Sequence, residues 1–341
     1  MIQGPQMGTG TSSIVGRRGA VAAILAAIAA PWAWAQGQLT AAPPSFRSID
    51  MEWSDLMRGR QVPVRLYLPV DAAAAGPMPL MLFSHGMGGS RGNYGYLGRH
   101  WASNGVASLH VQHVGSDYSV WGGNPLTLVS RLQSAANEAE AVHRVHDLRF
   151  ALDRLLASDS PVPGLNIDQR RIVAAGHSYG ANTVLLAIGA RVQRNGQWRA
   201  FQDDRISAAV IMSAPPFYGE PDLPAILSPV AIPTLHVTTT EDVIWIPGRH
   251  SGVEDRVAVY DAMPDHHKAL VMYQGGSHSI FTDRAGPGGP QLNQQIKTAT
   301  RELSLAFVNQ TFGRDGSALQ RWDRSWRTLV ARSAGVTGAT G

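Results

Sequence analysis

The sequence predicts an α/β protein, a mostly parallel central sheet with helices on both faces. Three observations predict it. Short apolar runs of strand length alternate with helical patterns between residues 62 and 273. One such run, residues 171–175, leads into Gly176-His177-Ser178-Tyr179-Gly180, and a small-residue helical pattern at 181–187 leads out. Another, residues 79–84, ends in the glycine-rich His85-Gly86-Met87-Gly88-Gly89. Strands that alternate with helices pair in parallel and are covered on both sides.

The elements follow in order. Residues 62–69 alternate apolar and polar side chains and read as an early strand. Residues 79–84 and 106–111 are the next two. Residues 134–156 read as a helix, with Val142, Val145, Leu148, Leu152 and Leu155 recurring at three- and four-residue steps. The strand at 171–175 and the helix at 181–187 flank Ser178, and strands at 206–212, 232–239 and 269–273 complete the series. Residues 115–132, with Asp117, Tyr118, Trp121 and Gly122-Gly123, form an irregular stretch expected to cover the functional site in part.

Composition bounds the function. The 341 residues carry a net charge of +4, almost wholly from arginine and without a dense basic run, so nucleic acid is not an expected partner. There is no cysteine, which excludes disulfides and a thiol nucleophile. Arg17-Arg18, the apolar run 20–30 and Pro31-Trp32-Ala33-Trp34-Ala35 read as an export leader over 1–35, cleaved before Gln36. The paired arginines suggest the twin-arginine route, and an uncleaved anchor is the alternative. Residues 36–341 contain no linker, repeat or further apolar span, so one catalytic domain is expected.

The pentapeptide around Ser178 has the form of a nucleophile elbow. A strand-to-helix turn that tight strains the serine backbone, and glycines two residues to either side let strand and helix approach. In this arrangement an acid and then a histidine follow the serine along the chain. Five histidines lie downstream. His236 sits within the strand at 232–239, His266 and His267 in a polar stretch before a strand, and His250 in a loop with no strand leading into it. His278 follows the strand at 269–273 and the Gly275-Gly276 break, at the sheet edge where ligands gather, and is the expected base. The strand at 232–239 runs into Glu241-Asp242, and either carboxylate can orient an imidazole. Asp261, in a helical stretch, and Asp283, beyond the histidine, are weaker candidates.

An oxyanion must also be stabilised by backbone N–H groups. Tyr179, just after the serine, supplies one, and Met87 in the glycine-rich loop supplies the other. His85 precedes the serine and is read as a hydrogen bonder that shapes this loop, and it is kept among the pocket candidates with Trp121, Phe217 (beside Tyr218) and Trp245. His143 and His146 are spaced for metal binding but have no evident third ligand, so neither metal nor cofactor is expected.

The stretches LFSHGMGGSRGNYGYLGRHWASNG (82–105), GHSYGAN (176–182), TTTEDVIWIP (238–247) and YDAMPDHHKALVMYQGGSHS (260–279) resemble serine α/β-hydrolases. The group is that of dienelactone-hydrolase-like, platelet-activating-factor-acetylhydrolase-like and cutinase-like polyesterase proteins. RVHDLRFALD (144–153) is most similar to the acetylhydrolase-like branch. The resemblance implies an α/β-hydrolase fold and favours Asp242 as the acid, because the aspartate of related sequences closes a short turn before a hydrophobic residue and a proline, here Val243 and Pro247. It implies an esterase with the triad Ser178, Asp242 and His278, acting on small-molecule or polymeric esters of short to medium acyl chains, polyesters among them, and the leader over 1–35 makes it an exported one. A peptidase or thioesterase with the same triad, or an inactive binding protein of this fold, is the alternative.

Overall fold

A computed structural model describes residues 45–72, 76–246, 249–265, 267–284 and 286–336. The leader expected over 1–35, Pro247 and His266 lie outside the described residues.

In chain order the strands are β1 (Phe46–Asp55), β2 (Arg60–Pro69), β3 (Met78–Ser84), β4 (Ala107–Val111), β5 (Ile167–His177), β6 (Arg191–Arg194), β7 (Gln197–Ala200), β8 (Ile206–Met212), β9 (Thr234–Glu241), β10 (Ile244–Ile246), β11 (Arg249–Ser251), β12 (Lys268–Ser277) and β13 (Val330–Ala334). The helices are α1 (Gly95–Ser103), α2 (Leu128–Ala135), α3 (Glu138–Leu156), α4 (Tyr179–Ala187), α5 (Leu223–Leu227), α6 (Val253–Asp261), α7 (Gly289–Thr311) and α8 (Ala318–Trp326).

The central sheet runs β1-β2-β4-β3-β5-β8-β9-β12-β13. From β4 to β12 every pairing is parallel, while β1, β2 and β13 add antiparallel edges. Parallel strands need both faces covered, and the sequence supplies apolar side chains of both parities. All seven residues of β3 are buried. Leu80 and Leu82 pack with Val145, Leu148 and Leu152 of α3 and Val184 of α4. Met81 and Phe83 pack on the other face with Leu97 and Trp101 of α1, Leu303 of α7 and Trp322 of α8. Each such side chain contributes roughly 1.5–3 kcal/mol by leaving water.

The structure corrects the sequence reading in three places. The helix expected from 134 to 156 is broken: α2 ends at Ala135, and Asn137 Oδ1 accepts the Glu140 N–H at 2.8 Å and caps α3, which starts at Glu138. The irregular stretch 115–132 contains two 3₁₀ turns and the first half of α2. The hairpins β6–β7 and β10–β11 were not expected, because strands of three or four residues are too short to show periodicity. Among the described residues no helix is long and apolar enough to cross a membrane.

Candidate active site

Parallel strands bring their C-terminal ends to one edge. Ser178 follows β5, Ser213 follows β8, Asp242 follows β9, and His278 follows β12. Ser178 holds φ 56°, ψ −125° at the entry to α4, a conformation that costs a serine about 1–3 kcal/mol. The neighbouring glycines make the turn sterically possible. A Cβ on Gly176 would stand 2.3 Å from Gly180 O, and one on Gly180 would stand 2.1 Å from Ser84 O.

Three side chains meet there. Ser178 Oγ donates to His278 Nε2 at 2.8 Å, and His278 Nδ1 donates to Asp242 Oδ1 at 2.7 Å. Asp242 is fully buried, and its second oxygen accepts hydrogen bonds from Ser213 Oγ at 2.5 Å and Thr238 Oγ1 at 2.7 Å. Buried Arg256 places Nε 3.4 Å from Asp242 Oδ1. Burial pushes the Asp242 carboxyl up, but His278, Arg256 and the Ser213 hydroxyl outweigh it and hold the group well below the usual carboxylate range. It therefore stays ionised at neutral pH. The rival carboxylates stand elsewhere: Glu241 is exposed at the end of β9, Asp261 ends α6, and Asp283 accepts the Gly95 N–H at 3.3 Å.

His177 braces the backbone of His278. Its Nε2 donates to His278 O at 3.0 Å, and its Nδ1 accepts from Tyr94 Oη at 2.8 Å.

The loop after β3 is anchored by a buried polar network. Arg144, fully buried in α3, donates to Ser84 Oγ at 3.1 Å, Ser116 Oγ at 2.8 Å, Thr183 Oγ1 at 2.9 Å and, closely, to His85 O. Its guanidinium lies 4.4 Å over the Tyr179 ring. Burial lowers the Arg144 pKa to about 10, which leaves it charged at neutral pH. Ser84 Oγ in turn donates to His113 Nε2 at 2.9 Å, and His113 Nδ1 donates to Asp147 Oδ2 at 3.1 Å. This second serine–histidine–aspartate array is wholly buried and braces the end of β3. Within the loop, the amides of Gly86, Gly88 and Gly89 bond Tyr94 Oη, Ser116 O and Gly86 O. The Met87 amide has no such partner among the described residues.

Ser178, Tyr179, His278, Met87, Trp121 and Phe217 line one cleft of about 660 Å³. Two pocket candidates do not line it. His85 is buried beneath the loop, its Nδ1 donating to Gly86 O at 2.7 Å and its Nε2 accepting the His113 N–H at 3.1 Å. Trp245 is 75% exposed and stacks edge-on against His250 across the β10–β11 hairpin. Strand alternation gives the pocket side to its neighbour Ile244 instead. Sequence reasoning missed Ser213, Thr238, Arg256 and Arg144. Ser213 has a positive φ of 50°, which nothing in its local sequence signals.

Residues 56–121 match the family model described as platelet-activating factor acetylhydrolase, isoform II. That segment includes the glycine-rich loop, His113 and Trp121. No curated protein matches the chain. Among solved structures, the ferulic acid esterase from Streptomyces cinnamoneus superposes with a TM-score of 0.55 at 22% identity, over 80% of this chain and 91% of that one. At that identity the likeness shows the fold, which together with the sheet order is that of the α/β-hydrolases.

Proposed function

We propose that this α/β-hydrolase, which resembles the platelet-activating-factor-acetylhydrolase-like group, is an exported serine esterase. One observation carries the reading: an unbroken hydrogen-bonded line from Ser178 Oγ through His278 to a buried, ionised Asp242, opening on a cleft. The match to an acetylhydrolase family and the likeness to a ferulic acid esterase both point to ester hydrolysis and support it.

In this mechanism His278 Nε2 takes the Ser178 proton as Oγ attacks the ester carbonyl. Asp242 fixes the tautomer and offsets the imidazolium charge. The oxyanion rests on the amides of Met87 and Tyr179, each such donor stabilising the transition state by about 3 kcal/mol. The C–O bond then breaks, and the alcohol leaves with the proton from His278. Water, deprotonated by His278, attacks the acyl-serine; the acyl C–Oγ bond breaks, Ser178 Oγ takes the proton back from His278, and the acid is released. The chemistry needs no metal or cofactor. Substrates are esters of short to medium acyl chains, polyesters included, and the site of action is outside the cytoplasm after removal of residues 1–35.

The same triad serves peptidases and thioesterases, so substrate class is the test. Matched ester, thioester and amide substrates should be turned over by the wild-type protein and by Ser178→Ala. The expected result is serine-dependent turnover with esters preferred over amides by at least about 100-fold, a gap of roughly 3 kcal/mol in barrier. Equal turnover by both proteins, or a preference for amides, would contradict an esterase.

A further inference from the structure

The cleft does not stop at the nucleophile. Tyr179, Asn182, Thr183 and Leu186 all line it, and they occupy one face of α4 at one, four, five and eight residues beyond Ser178. At 1.5 Å per residue, Leu186 lies about 12 Å along the helix from Ser178. Leu132 and Ala136 around the end of α2 and Ala141 and Val142 of α3 line it as well. Val192 on β6 and Phe201 after β7 also line it.

Three charged residues in the lining form a clasp. Arg194 of β6 donates to Glu138 Oε2 at 2.8 Å and pairs closely with Glu220. Glu138 is the first residue of α3, and Glu220 closes the turn that begins at Phe217. One guanidinium thus ties together three separate elements of the cleft wall.

We propose that this channel is the acyl subsite, that it takes an uncharged hydrocarbon acyl group of medium length, and that the Arg194 clasp sets where the chain must end. The inference rests on Ser178 as nucleophile. The direction follows from the chemistry. His278 must protonate the leaving alcohol, so the alcohol lies on its side of the serine, where Ser279, Thr282 and Arg284 line the cleft. The acyl group then points the other way, along α4. The walls there are mostly apolar, and the clasp carries one positive and two negative groups, so its net charge opposes an anionic tail.

The test holds the alcohol constant with p-nitrophenyl esters from acetate to palmitate and reads kcat/KM at each length. Wild type is expected to peak at medium length. Leu186→Trp should block the channel and lower the octanoate-to-acetate ratio by about tenfold or more, the scale on which a pocket discriminates by size. Arg194→Ala should open the end and raise the palmitate-to-octanoate ratio by a similar factor. Arg194 and its partners are partly solvated, and ion pairs of that kind contribute little to stability, so this second variant should fold even if the first does not. Sodium chloride at about 1 M should move wild type in the same direction as Arg194→Ala, because salt screens the clasp. A p-nitrophenyl ester of glutarate, with a free carboxylate at the chain end, should be a poorer substrate than the hexanoate. Serine-dependent turnover with the same length profile in both variants would overturn the channel while leaving the esterase standing. No turnover at any length in wild type would overturn both.

Discussion

Replacing Asp242 by asparagine will lower kcat by about 10⁴-fold and leave KM near its wild-type value. The carboxylate does two things that an amide cannot. It accepts the hydrogen bond from His278 Nδ1–H, which leaves Nε2 as the acceptor for Ser178 Oγ, and in the proposed mechanism it offsets the positive charge that the imidazole gains in the transition state. Its other oxygen already accepts from Ser213 and Thr238. An asparagine that keeps its oxygen toward those hydroxyls must turn its NH₂ toward Nδ1, which forces the wrong tautomer. Substrate binding is untouched, so the loss belongs in kcat. Steady-state kinetics on an unhindered ester, with the thermal midpoint measured beside it, will check this. A folded Asp242→Asn protein within tenfold of wild type would show that another carboxylate holds the imidazole.

Acid will unfold this protein steeply once the pH falls below about 6.5, the ordinary histidine pKa. Five histidines are buried in the neutral form: His85, His110, His113, His177 and His236. Burial is the main cause of depression in every case. It takes His110, His177 and His236 down to about 3, and His85 and His113 well below their ordinary value with Arg144 adding repulsion. Because the folded values lie below the unfolded one, the unfolded chain alone takes up protons as the pH falls below about 6.5, down to about 3 for His110, His177 and His236. Each such group removes about 1.4 kcal/mol of stability per pH unit across that window, so five acting together remove roughly 7. Asp242 adds to the loss lower down, since its depressed value means its stabilisation is present above the ordinary carboxylate pKa and fades as the pH drops through the folded one. Against a total stability of about 5–15 kcal/mol, the unfolding midpoint is expected between about pH 4 and 6. Denaturant melts at half-unit intervals from pH 8 to 4 will measure the slope, and His236→Phe should reduce it by one proton. A thermal midpoint unchanged from pH 7 to 4.5 would contradict neutral burial of these rings.

Much of the candidate site was legible because its chemistry leaves local marks. The elbow needs glycines at fixed offsets from Ser178, since their Cβ atoms would collide with Gly180 O and Ser84 O. His278 stands directly after a buried strand, and Asp242 just after another. What could not be read depends on distant parts of the chain meeting. Arg144 and Asp147 lie on a helix whose apolar period gives no hint that the polar residues beside it face inward beneath the loop after β3. Ser213 is one of many serines until its backbone turns to aim its hydroxyl at Asp242. Trp245 was misplaced because an unseen three-residue strand, β10, decides by alternation which of two neighbouring side chains faces the cleft. The cap at Asn137 broke a helix whose hydrophobic spacing runs on through it, and the break lets Glu138 join the clasp.

In the proposed mechanism Ser178 is a nucleophile activated by His278. A fluorophosphonate forms a covalent bond only with an activated serine, and peptide mass mapping locates the adduct. One adduct is expected, on Ser178, with labelling slowed by at least about 10³-fold in a folded His278→Ala variant, in line with the loss expected when a triad member is removed. An unlabelled Ser178 in the folded wild-type protein, or labelling of His278→Ala at the wild-type rate, would contradict it.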